Sequence, residues 1–96
     1  MKAGNKVSLA EAIDTFIQEN KLKPHIDAMR VTRLWEELMG KTIVKHTTSI
    51  HFKAGKLYLN FDAPALKNEM YYSRDKIKSL INTEMGEDVV KEVLIF

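Results

Sequence analysis

The sequence predicts an α+β fold. It is a single two-layer domain of order α-α-β-β-α-β, in which a three-stranded mixed sheet carries its helices on one face. Three observations predict it. Apolar residues recur at the helical period up to Gly40, alternate between Val44 and Phe61, and return to helical spacing after Pro64. The chain has 96 residues, which fills one domain, residues 1–96, with no room for a second. A β-branched run, Val89 to Phe96, follows the last helical pattern, so the β-α-β part should cross over right-handedly within one sheet.

The elements follow in order. Residues 1–7 are expected to form a disordered N-terminus. Ser8 followed by Glu11 reads as a capping box, in which hydroxyl and carboxylate each satisfy an orphan amide. Leu9, Ala12, Ile13, Phe16 and Ile17 then mark a first helix, about Leu9 to Asn20. Lys23 precedes Pro24 and so avoids helical angles, which breaks the chain there. A second helix starts between Pro24 and Arg30, with Val31, Leu34, Trp35 and Leu38 as its apolar stripe. Gly40 should end it at a position that needs positive φ.

Alternation places Val44, His46, Thr48, Ile50 and Phe52 on one side of a strand, and Lys45, Thr47, Ser49, His51 and Lys53 on the other. Leu57, Leu59 and Phe61 repeat the pattern on a second strand, with Lys56, Tyr58 and Asn60 outward. The two read as a hairpin with Phe52 opposite Leu57, Ile50 opposite Leu59 and Thr48 opposite Phe61, because a one-residue slip would expose the apolar set. Ala54 is a poor first residue for a type I′ turn, which favours a four-residue loop, Lys53 to Lys56. Asp62 or Ala63 caps a third helix with Pro64 in its first turn. Leu66, Met70, Ile77, Leu80 and Ile81 face inward, and the helix stops near Gly86. The last strand spans Val89 to Phe96.

Composition removes several functions. The chain has no cysteine, which excludes disulfides, thiolate metal sites and cysteine nucleophiles, and fits a reducing cytoplasm. No apolar run reaches the roughly 18 residues of a membrane span, and no secretory leader is expected from the N-terminus. Gly4, Gly40, Gly55 and Gly86 are too scattered to build a phosphate-cradling loop. His46 and His51 fall on opposite faces of one strand, so no metal site, no cofactor and no catalytic residues are expected, and the chain reads as a non-enzyme.

The net charge is only +2, but its distribution is uneven. From Met39 to Phe61 there is no acid, while Lys41, Lys45, Lys53 and Lys56 are basic; Glu84 to Glu92 holds four acids and one lysine. The outward side of the hairpin therefore carries Lys45, His51, Lys53, Lys56 and Tyr58, with His51 directly across from Tyr58. A cationic surface with an interleaved aromatic suits a phosphate backbone and a stacked base, although a solvated antiparallel face is also polar. The outward side of the third helix adds Lys67, Arg74 and Lys78, interrupted by Glu69 and Asp75. Together these residues are the candidate contacts for single-stranded DNA or RNA. The last strand has apolar residues on both sides, Val89, Val93 and Ile95 on one and Val90, Leu94 and Phe96 on the other. One of these strips, first Val89, Val93 and Ile95, is the expected protein interface, either for a homodimer or for a partner.

Several segments resemble one known family. Trp35-Glu36-Glu37-Leu38-Met39-Gly40-Lys41-Thr42-Ile43, Lys45-His46-Thr47, and Lys53-Ala54-Gly55-Lys56-Leu57-Tyr58-Leu59 resemble the W-x-x-x-x-G and hairpin pattern of the DciA-like family, also called domain of unknown function 721. Ala63 to Met70 and Ile81 to Gly86 resemble the rest of that pattern, and the likeness covers about Leu22 to Phe96. The resemblance implies a fold similar to the K-homology domain and a role in bacterial DNA replication: recruiting or loading the replicative helicase, with affinity for DNA. The G-x-x-G loop by which K-homology domains clamp nucleic acid has no counterpart here. A protein-interaction module without nucleic-acid binding is the alternative function.

Overall fold

The computed structural model describes residues 8–96; the expected disordered segment, residues 1–7, lies outside the described residues. Four helices and three strands follow one another as α1 (Leu9–Glu19), α2 (Lys23–Lys45), β1 (Thr47–Lys53), β2 (Lys56–Phe61), α3 (Pro64–Tyr72), α4 (Arg74–Met85) and β3 (Glu92–Ile95). The sheet order is β1-β2-β3. β1 and β2 pair antiparallel and β2 and β3 pair parallel, which is the expected mixed sheet.

The Ser8 capping box forms as the sequence predicts. Glu11 N–H donates to Ser8 Oγ, and Ser8 N–H donates to the Glu11 carboxylate. Gly40 does adopt positive φ, +81°, but the chain resumes helical turns beyond it, so α2 is interrupted there rather than ended. The alternation that began at Val44 therefore overstated the strand, which starts at Thr47.

The hairpin register agrees from Ile50 to Phe52 and changes below it. Phe52 opposes Leu57 and Ile50 opposes Leu59, whereas Thr47, not Thr48, opposes Phe61. Thr48 is the extra residue of a β-bulge between Thr47 and Ser49 and is exposed. The bulge turns Thr47 from the outer side toward the core, where Trp35 lies. The hairpin loop also differs from expectation. Lys53 pairs with Lys56, so the turn has two residues, Ala54 at φ +52° and Gly55 at φ +81°. Positive φ at both central positions is the type I′ pattern that matches strand twist, and Ala54 is held in it despite its Cβ. The Gly55 carbonyl accepts from both Lys91 N–H at 2.7 Å and Glu92 N–H at 3.2 Å. A Cβ on Gly55 would lie 3.0 Å from Lys91 Cγ and would be strained at this φ, so glycine suits the close approach of the turn to the start of β3.

The third helix is two. Ser73 breaks the run into α3 and α4. Ile77, Ile81 and Met85 form the buried stripe, and Leu80, expected inward, lies at the edge of that stripe and is exposed. β3 is shorter than expected because Asn82 holds the preceding segment. Its side chain donates to the Val90 carbonyl at 2.9 Å and accepts from Val90 N–H at 2.8 Å.

The core lies between the sheet and the helices. Val31 and Trp35 of α2, Leu57 and Leu59 of β2, Met70 of α3, Ile77, Ile81 and Met85 of α4, and Val90 and Val93 are all buried in it. At about 1.5–3 kcal/mol for each large side chain removed from water, this cluster supplies the main stabilisation. Ile50, Phe52, Phe61 and Ile95 pack against its margin from the same side of the sheet.

Candidate nucleic-acid interface

The opposite side of the sheet carries no core residue. His51 of β1 and Tyr58 of β2 are register partners, with ring centroids 5.8 Å apart. Phe96, just past β3, extends the row: its ring lies 6.4 Å from that of Tyr58 and within 13° of parallel. Phe96 reaches this position because its backbone continues the parallel ladder, donating to the Leu59 carbonyl and accepting from Phe61 N–H. Three rings thus run obliquely across the sheet, since Phe96 lies two residues past Leu94, the register partner of Tyr58. Phe96 is half-exposed and His51 is exposed, so the row faces solvent. Asn60 donates to Ser49 Oγ on the same face. Exposed Lys53 and Lys56 stand opposite each other at the hairpin tip.

The structure divides the expected site. His51, Lys53, Lys56 and Tyr58 come together as predicted. Lys45 does not join them as a strand residue; it lies in the last turn of α2. The whole of β1, about 20 Å of strand at the usual rise, separates it from Lys53. Lys67, Arg74 and Lys78 lie on α3 and α4, in the helical layer across the core from the aromatic row. Arg74 is further engaged, with its guanidinium 3.9 Å above the Tyr71 ring and its Nη1 donating to the Tyr71 carbonyl at 3.0 Å. Lys67 borders a shallow hollow of about 450 Å³ with Tyr71 and Ile95. Sequence reasoning missed Phe96 as a ring of the platform. Its place two residues beyond Leu94, on the same side of the strand as Tyr58's partner, was the available signal.

The expected interface strip is mostly interior. Val93 is buried in the core, and Val89 and Ile95 pack against it half-exposed. Val90 is fully buried. What the last strand leaves outside is Leu94 and Phe96, beside Tyr58.

His46 caps the C-terminus of α2, and its Nδ1 lies 2.8 Å from the Asp62 carboxylate, joining the two ends of the hairpin. Lys23 bridges Asp27 at 2.8 Å and Glu87 at 3.3 Å, tying the start of α2 to the loop after α4. The hydrogen bond to Asp27 raises the Lys23 pKa above its usual 10.5, burial opposes it, and Glu87 adds to the rise. A larger groove, about 1150 Å³, opens between α2 and the β1 edge of the sheet. Among the described residues no helix is long and apolar enough to cross a membrane.

A family model described as the DnaC/DnaI antecedent, DciA, matches residues 8–95. A curated relative, a UPF0232 protein of Corynebacterium glutamicum (strain R), is 29% identical over 89 residues, which is 93% of this chain and 50% of that protein. The chain thus spans about half the length of that relative. No solved structure matches the chain.

Proposed function

Because the chain belongs to the DciA family, we propose that it is a small cytoplasmic adaptor of bacterial DNA replication. It binds single-stranded DNA or RNA weakly and a replication protein, the replicative helicase, more specifically. Its role is binding rather than catalysis. The family description, as antecedent of two Dna proteins, supports the replication context.

The observation that carries the nucleic-acid part is the row His51, Tyr58 and Phe96 on the open face of the sheet. Every base has a π-face, so a row with exposed His51 and Phe96 flanking the partly buried Tyr58 accepts bases without reading their order. Lys53 and Lys56 at the end of the row supply positive charge for the backbone, and releasing its counterions makes the binding salt-dependent. This mode uses the sheet face and needs no glycine loop. Fluorescence anisotropy of a labelled single strand, with and without Tyr58→Ala, tests it.

The second reading, a protein-interaction module without nucleic acid, is supported by α1, which leaves Leu9, Ile13 and Phe16 exposed. Capture of a helicase by the immobilised protein, with and without nuclease, separates the two. Nuclease-insensitive capture combined with no oligonucleotide binding would favour the module.

A further inference from the structure

Helix α1 has an apolar face on which none of the described residues packs to bury it. Leu9, Ile13 and Phe16 recur at the spacing of one helix stripe, yet they are 79%, 50% and 59% exposed. No residue of α1 is buried. The capping box at Ser8 and Glu11 shows that the helix is locally specified, so the bare stripe is not a frayed end.

The junction after α1 fixes where that face points. Lys21 adopts φ +55° and donates to the Gln18 carbonyl at 3.2 Å, while Leu22 N–H donates to the Ile17 carbonyl at 2.9 Å. This pair of bonds is a Schellman motif, which closes a helix in a defined geometry. Ile26 N–H donates to the Leu22 carbonyl at 3.0 Å, so α2 begins at once and no slack remains between the helices. The molecule is 61 Å long and only 24 by 20 Å across. Since the part of α2 before the Gly40 interruption spans only about 25 Å, α1 extends beyond the body rather than folding back on it.

The same chain carries an unoccupied surface of matching character. The groove of about 1150 Å³ has Met29, Ile50, Phe52 and Val89 among its apolar lining, with Arg33 and Lys53 also lining it. Met29 is 65% exposed. Arg33 and Lys53 enter no ion pair among the described residues. α1 holds Glu11, Asp14 and Glu19 and no basic residue. The groove's Lys23 and Lys91 are paired with Asp27 and Asp88, which leaves Arg33 and Lys53 against the single acid Glu36. One chain therefore presents an acidic amphipathic helix and a groove with a net positive border, and its own hinge geometry keeps them apart.

We propose that α1 of one copy of this chain seats in the groove of a second copy, its Leu9–Ile13–Phe16 stripe against Met29 and Phe52 and its acids toward Arg33 and Lys53. Two copies exchanging α1 reciprocally form an isologous dimer in which both helices and both grooves are covered. His51 and Lys53 border this groove as well as the open face of the sheet, so the dimer is tested at Phe16 and Met29, which belong to neither the aromatic row nor its lysines.

Sedimentation velocity over a range of concentrations tests the proposal with three chains: the unaltered protein, Phe16→Asp and Met29→Asp. Both substituted side chains are exposed in the single chain, so circular dichroism should show the fold and melting temperature of the isolated domain retained. The unaltered protein should sediment as a dimer. Each substitution should raise the dissociation constant at least about tenfold, one from the helix side and one from the groove side. Arg33→Glu, on the groove border, should weaken the dimer as well and serves if either apolar position disturbs folding. A monomer at every concentration would overturn the proposal, including the case in which α1 closes on its own groove. So would a dimer that either Phe16→Asp or Met29→Asp leaves intact.

Discussion

The indole Nε1 of Trp35 donates to Thr47 Oγ1 over 3.2 Å, and the same hydroxyl donates to the Ile43 carbonyl over 2.7 Å. This threonine, the first residue of β1, thereby holds the buried indole of α2 and satisfies a carbonyl beyond the Gly40 interruption. The bulge at Thr48 is what turns Thr47 inward to do so. Trp35 is fully buried, its ring 6.1 Å from that of Phe61, and its N–H would otherwise be an unpaired donor in the core.

Trp35→Ala should cost about 3–5 kcal/mol, enough to unfold a domain of ordinary marginal stability. Thr47→Val keeps the volume and removes the hydroxyl, leaving the indole donor and the Ile43 carbonyl unmatched. It should cost about 1–3 kcal/mol. Urea denaturation followed by tryptophan fluorescence checks Thr47→Val, and far-UV circular dichroism checks Trp35→Ala. A fold of unchanged stability in Trp35→Ala would remove Trp35 from the core.

The hairpin turn offers a gain rather than a loss. Ala54 sits at φ +52°, a region that costs an alanine roughly 1–2 kcal/mol and an asparagine less. Asn-Gly is the preferred pair for a type I′ turn. Ala54→Asn should therefore stabilise the protein by about 0.5–1 kcal/mol, seen as a higher urea midpoint at unchanged slope. Ala54→Val should destabilise it.

How much of this was legible in the sequence depends on what each position's chemistry distinguishes. The pairing of Ile50 with Leu59 and Phe52 with Leu57 was readable because each slip exchanges an apolar for a polar side chain. The bulge was not, because Thr47 and Thr48 are the same residue and either could face Trp35. Gly40 was read correctly for its φ and wrongly for its consequence, since Ile43 and Val44 suit a strand as well as a helical turn. The break at Ser73 interrupts a run whose apolar residues, Met70, Ile77 and Ile81, keep helical spacing across it, so the apolar pattern alone does not reveal it. Two of the three rings of the aromatic row, His51 and Tyr58, followed from register alone. Phe96 required knowing that β3 lies parallel beside β2.

The Lys23 bridge makes a pH prediction. The native ammonium has a pKa raised above 10.5. Its contribution is therefore fully present below pH 10.5 and is lost as pH rises through the higher native value. The side chain is 41% exposed, so solvent screening keeps the effect within about 0–1 kcal/mol. Lys23→Met should lower the melting temperature slightly at pH 7 and by less above pH 11. A constant difference across that range would contradict the assignment.

The central claim is that the open face of the sheet binds single-stranded nucleic acid, and an anisotropy titration of a labelled single strand at several salt concentrations tests it most directly. Tyr58→Ala should weaken binding by about 1–3 kcal/mol, roughly 5- to 150-fold, through loss of one stacked base. Lys53→Ala and Lys56→Ala should each reduce the magnitude of the log–log salt slope by about 0.7. Lys78→Ala, in the helical layer, should change little. A folded chain carrying Tyr58→Ala, Lys53→Ala and Lys56→Ala together should lose most of its affinity and have a visibly flatter salt dependence. If that chain binds with the affinity and salt slope of the unaltered protein, the face is a solvated sheet surface and the claim is wrong.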